Sequence, residues 1–109
     1  MPDAAAVRQE LLDLGLEDSI PLPEAVATAR SLGCEHPEHD VREAVTELTR
    51  QGHFRWWRGP WAREDEHIEV PAHELELLLQ DLRWYRFRLE EPDEERLYFV
   101  NVENILPGF

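Results

Sequence analysis

The sequence contains no lysine: all eleven of its cations are arginine. Every positive charge is therefore a planar guanidinium, a group suited to forked hydrogen bonding and to stacking on aromatic rings. A compositional bias of the source genome accounts for the same choice. Cysteine is nearly absent as well. The single Cys34 excludes an internal disulfide. No run approaches the ~18 apolar residues of a membrane span. The N-terminal stretch MPDAAAVRQELL has no basic segment followed by an apolar one, so no secretory signal is visible and a cytoplasmic protein is expected. Catalytic signatures are missing too. There is no phosphate-binding P-loop, no G-x-S-x-G and no H-E-x-x-H. Carboxylates are plentiful, but in so acidic a chain their pairs arise by chance and form solvated faces. The expectation is that the protein is not an enzyme, has no catalytic residue and uses no cofactor.

Positive charge is scarce overall. Eleven arginines against twenty-four acids give a formal net charge of -13. That balance favours solubility and disfavours polyanionic partners, since nucleic-acid binding usually needs a basic patch. The stretch RQGHFRWWRGPWAR, Arg50 to Arg63, runs against this trend. It holds four arginines, three tryptophans and a phenylalanine, and no acid. Charge is thus segregated along the chain, and a local anion-binding face is compatible with the acidic total.

At 109 residues and 42% hydrophobic content, one domain spanning 1–109 with a compact core is expected. Asp3 is a plausible N-cap for a first helix from about Ala4 to Leu14, which Gly15 ends. DSIPL is a short extended piece. Pro23 suits the first turn of a second helix, which runs to about Leu32 with Gly33 beyond it. Pro37 suits the first turn of a third, whose Val41, Ala44, Val45 and Leu48 give the i, i+3, i+4, i+7 spacing of a buried stripe. Gly52 stops it. HFRWWRGPWAREDEHIEV reads as two strands joined through Gly59-Pro60, with Phe54 and Trp56 on one face and Arg55 and Trp57 on the other. Pro71 opens a fourth helix, with Leu75, Leu78, Leu79 and Leu82 as its stripe. A second hairpin is expected in RWYRFRLEEPDEERLYFVNV, turning near Pro92-Asp93. That register places Phe87 opposite Tyr98 and Tyr85 opposite Val100, with Leu89 and Val102 on the same core face. Trp84, Arg86, Arg88, Leu97, Phe99 and Asn101 fall on the outer face.

LPEAVATARSLG, the turn CEHPEHD and VREAVTELTRQGHFRWW together resemble a winged-helix domain of the bacterial transcription-regulator type, over about residues 4–70. The resemblance implies that the second and third helices form a helix-turn-helix and that the hairpin after Gly52 is the wing. The expected fold is α+β: a winged-helix-like core of three helices and a hairpin (4–70), extended by a fourth helix and a second hairpin (71–109). In that family the third helix usually enters the DNA major groove. Here its outward positions include Asp40, Arg42, Glu43, Thr46, Glu47 and Arg50, and three acids facing phosphates are repelled. The wing is the better contact, although the acids Glu64, Asp65 and Glu66 lie where they can neutralise its arginines.

Two function classes follow. The first is a non-enzymatic protein-interaction module that uses a basic aromatic wing: Arg55, Trp57, Arg58, Trp61 and Arg63. These residue types dominate interface hot spots. The second is a DNA-binding transcriptional regulator contacting DNA mainly through that wing. Stacking of single-stranded bases ranks below protein binding because of the overall charge. The outer face of the second hairpin, with Trp84, Arg86, Arg88 and Phe99, is a candidate homodimer face. No membrane partner is expected. Finally, CEHPEHD clusters Cys34, His36, His39 and Asp40, but its spacing matches no familiar zinc pattern. A polar turn capping the third helix, with Cys34 as a small buried residue, is expected instead, and no metal site.

Overall fold

A computed structural model of the chain describes residues 3–60, 64–86 and 95–105. The fold is α+β, with four α-helices of nine or more residues and a four-stranded antiparallel sheet among the described residues. Helix α1 (Ala4–Glu17) opens with Asp3, whose Oδ1 accepts from the Ala6 N–H at 2.8 Å. The cap is where the sequence puts it; the end is not. Gly15 lies inside the helix, four residues beyond Leu11 on the buried stripe. A side chain there would meet the Asn101 backbone nitrogen at 2.8 Å. Gly15 is therefore a point of close approach between α1 and the sheet rather than a helix stop.

Strand β1 (Ile20–Pro21) leads into α2 (Leu22–Ser31), and α3 (Pro37–Arg50) follows the turn. Val41, Ala44, Val45 and Leu48 of α3 are all buried, as their spacing predicts. Thr46, predicted outward, is buried as well. Its hydroxyl donates to the Arg42 carbonyl at 2.7 Å, which satisfies it within the helix. Helices α1 and α2 both pack on α3. Leu11, Leu22, Val41 and Val45 are at most 1% exposed. Each contributes roughly 1.5–3 kcal/mol relative to an exposed side chain.

Strand β2 (Phe54–Pro60) alternates as expected, with Phe54 and Trp56 inward and Arg55 outward. It does not turn at Gly59-Pro60. It continues straight, because β4 (Glu95–Asn101) pairs with it along its whole length, from Phe54 opposite Asn101 to Pro60 opposite Glu95. The return strand comes later, after a 3-10 turn at Glu64–Glu66. Strand β3 (Ile68–Glu69) then pairs with Trp57 and Arg58. The sheet order is β1-β4-β2-β3. Pro71 precedes α4 (Ala72–Gln80), whose Leu75 and Leu79 are buried, with Leu78 and Leu82 packed against the core.

The second hairpin is overturned. Leu82–Tyr85 form a 3-10 turn, and β4 pairs with β1 and β2 instead. Val100 thus stands opposite Arg55 rather than Tyr85. With a different partner the faces of β4 are exchanged. Leu97, Phe99 and Asn101 point to the core, and Tyr98 and Val100 lie on the other side. The face a strand buries is set by the sheet it joins, and a different partner, not a slip in register, is what separates expectation from structure here. Phe99 is fully buried, 4.6 Å from Phe54 and 5.4 Å from Trp56 between ring centroids. Asn101 is buried with its polar atoms engaged: Nδ2 donates to the Leu12 carbonyl, and Oδ1 accepts from the Glu103 N–H of the one-turn helix α5 (Val102–Ile105). Phe87 and Leu89 lie outside the described residues.

Candidate functional site

The candidate site is the sheet face turned away from the aromatic core. Alternation along β2 puts Arg55 and Trp57 there, and the register sets Trp57 between Tyr98 on one side and Glu69 on the other. Trp57 is half-buried. Arg55 stands over its ring at 5.4 Å from the centroid. The same guanidinium forms a two-pronged pair with Glu69, Nε to Oε2 at 2.7 Å and Nη2 to Oε1 at 2.5 Å. These bonds hold the Glu69 carboxyl below its ordinary range and push the Arg55 guanidinium up. Both side chains are more than 40% exposed, so solvent screens the pair. Its main effect is geometric: it fixes the cation against the indole.

Arg58 also has its own acid. It bonds to Glu95 across the β2–β4 ladder, and its guanidinium lies 5.2 Å from the Trp84 ring centroid. The acids that pair with Arg55 and Arg58 are therefore Glu69 and Glu95. Glu69 was legible in principle, since it falls on the returning strand. Glu95 was not, because its pairing with β2 crosses 37 residues of chain.

Behind Trp57 the face is closed by an aromatic stack. His67 lies on Tyr98 with centroids 4.3 Å apart and planes at 24°, and its Nε2 donates to the Pro60 carbonyl at 2.8 Å. Gly59 makes this possible, because a Cβ there would come within 2.5 Å of His67 Cδ2. Sequence reasoning missed this contact. The Gly59-Pro60 pair reads as a turn, whereas the glycine is needed for side-chain clearance.

The remaining predicted site residues divide. Trp61, Arg63 and Arg88 lie outside the described residues. Trp84 and Phe99, expected on an exposed dimer face, are 4% and 0% exposed. Trp84 is tucked in by the 3-10 turn and Phe99 by the register of β4, so the face on which a homodimer was expected does not exist in that form. Arg86 is exposed, with Nε 3.7 Å from Glu38.

On the opposite side of the molecule, α3 does not present a bare outer surface. Arg50 bonds Glu76 of α4 at 3.0 Å, and α4 packs beside α3. An open cleft of about 670 Å³ runs between the start of α1, α3 and the end of α4. Arg8, Arg42 and Arg50 share it with Asp3, Asp40, Glu43 and Glu47, so its charge is mixed.

In the turn before α3, Cys34 is buried against Asp40, and burial, then the bond to Asp40, push its thiol up. His36 occupies the N-cap position without a side-chain cap bond. Among the described residues no three His, Cys, Asp or Glu side chains converge as a metal-ligand set, and no helix is long and apolar enough to cross a membrane. Comparison with protein-family models, curated proteins and solved structures finds no match.

Proposed function

We propose that this chain is a non-enzymatic protein-interaction module on a winged-helix-like scaffold, and that its recognition surface is the outer face of β2 centred on Trp57. The observation that carries this reading is the pinned pair: a half-buried tryptophan held under a guanidinium that its own Glu69 fixes in place. A large aromatic side chain presented without rotamer freedom binds at low entropic cost, and Trp and Arg are the types most enriched at interface hot spots.

The same observation weighs against the regulator reading. A DNA contact needs positive charge that is not already offset, and Arg55 and Arg58 are each paired with a carboxylate, Glu69 and Glu95. The acids of α3 and the α4 helix beside it add to that weight. The test is capture of partners from an extract of the source cells by wild-type protein and by the Trp57→Ala variant. A partner retained by the wild type and lost from a variant that is still folded supports the reading. Identical retention by both contradicts it.

A further inference from the structure

Four of the eleven arginines converge on one buried tryptophan. The guanidiniums of Arg83 and Arg58 stand 4.5 and 5.2 Å from the Trp84 ring centroid. Arg83, Trp84, Arg86, Glu95 and Arg96 line a small cavity of about 70 Å³. Trp84 is 4% exposed, and its indole N–H is buried with no hydrogen-bond partner among the described residues. Trp56 offers the contrast. It is buried as deeply, yet its N–H donates to Thr49 Oγ1 at 2.9 Å. Buried donors are almost always satisfied, so an unmet one beside a cavity calls for an acceptor.

The walls specify what kind of acceptor. Indole and guanidinium groups donate only, and each guanidinium carries five N–H bonds. Among the described residues of the lining the carboxylate is Glu95, which Arg58 engages. Arg83 meets Asp81 at 3.4 Å and Arg86 meets Glu38 at 3.7 Å. Both distances exceed the ~2.7–2.9 Å of a charge-assisted hydrogen bond, so these two cations retain donors. At about 70 Å³ the cavity has room for a small oxyanion.

We propose that this cavity is an oxyanion subsite. It takes a single carboxylate or phosphate group presented by an acidic segment of a partner protein, held by Arg83 and Arg86 with Trp84 Nε1 as a further donor. Arg58, which follows Trp57 in β2, points to the opposite face of the sheet and stands against Trp84, so the subsite and Trp57 lie on the two sides of one strand. The inference thus extends the interaction reading by naming the chemistry the partner presents. Its test needs no partner, so its failure and the failure of that reading are distinguishable.

The test is a nuclear magnetic resonance titration of the full chain, read on its four indole N–H signals. Trp84→Phe assigns the Trp84 signal. Inorganic phosphate and acetate are titrated separately into the millimolar range, with sodium chloride holding the ionic strength constant. The expected result is a saturable shift of the Trp84 signal with one or both anions, while the Trp57 signal stays in place. In an Arg83→Gln/Arg86→Gln variant whose backbone amide spectrum shows the fold retained, affinity falls on the order of tenfold or more. A response to phosphate alone assigns the subsite to a phosphorylated segment, and a response to acetate assigns it to an acidic side chain or chain terminus. The proposal is overturned if neither anion moves the Trp84 signal, if all four signals drift together without saturation, or if the double variant responds like the wild type.

Discussion

Arg55–Arg58 reads RWWR and Arg83–Arg86 reads RWYR, yet the first is strand and the second is a 3-10 turn with its last arginine just beyond. In the strand, neighbouring side chains point to opposite faces, so Trp56 enters the core and Trp57 is left on the outer face. In a turn of about three residues, neighbours are ~120° apart, and the two central aromatics can tuck inward together. Trp84 and Tyr85 are both buried, while Arg83 and Arg86 remain outside. The letters of the tetrapeptide do not make this choice. Asp81 caps the second stretch, its Oδ1 accepting from the Arg83 N–H at 3.0 Å, whereas His53 occupies the equivalent position before Arg55. The first stretch has β4 to pair with instead. One stretch became a surface and the other a piece of core with cations around its rim.

The comparison breaks most visibly at adjacent tryptophans. Trp56 is 1% exposed, and Trp56→Ala is expected to cost about 3–5 kcal/mol, as large aromatic truncations in cores do. Trp57→Ala should cost about 1 kcal/mol or less, since part of its ring already faces water. Urea unfolding of the two variants measures the difference, and equal losses would mean that the faces of β2 are wrongly assigned.

Gly15→Ala comes next. The added methyl meets backbone at 2.8 Å, so α1 must move from β4, and a loss of roughly 1–3 kcal/mol in thermal unfolding is expected. A harmless substitution would show that α1 packs elsewhere.

The third test concerns the second stretch. Tyr85 is buried, its hydroxyl donates to the Leu79 carbonyl at 2.7 Å, and burial raises its pKa, with Arg42 opposing. A raised folded-state value means that the native protein holds the proton more tightly than the unfolded chain does. The contribution is full below the ordinary tyrosine value of 10.0 and is lost as pH rises above it. Stability should therefore drop above about pH 10, and Tyr85→Phe should flatten that drop while costing about 1 kcal/mol at neutral pH for the lost bond. The smallest effect is expected at the Arg55–Glu69 pair, where a double-mutant cycle should give a coupling of about 0.2–1 kcal/mol. Glu69 is held below its ordinary 4.5, so that coupling is present at neutral pH and fades as pH falls below this value.

Much of the first fifty residues was legible because local signals and burial agree there. Asp3 caps α1, Pro37 starts α3, and the Val41–Leu48 stripe is the buried stripe. The last third was not, and β4 shows why. Leu97, Tyr98, Phe99 and Val100 are apolar on both faces, so alternation cannot say which face is inside. The Pro92-Asp93 signal favours a nearby partner, while the strand that β4 joins begins 41 positions earlier, at Phe54. The outer-face residues Arg55 and Trp57 were visible from alternation alone. The carboxylates that fix the arginines, Glu69 and Glu95, depend on register, and register follows from pairings no local pattern contains.

The measurement that tests the account most directly is binding of random duplex DNA across a salt series, with wild-type protein and an Arg55→Gln/Arg58→Gln variant. With both arginines paired to carboxylates, and if the Trp57 face binds protein as proposed, negligible affinity is expected even at low salt, and the variant should behave alike. Tight binding with a steep salt dependence, abolished in the variant, would contradict the account and assign the β2 face to nucleic acid.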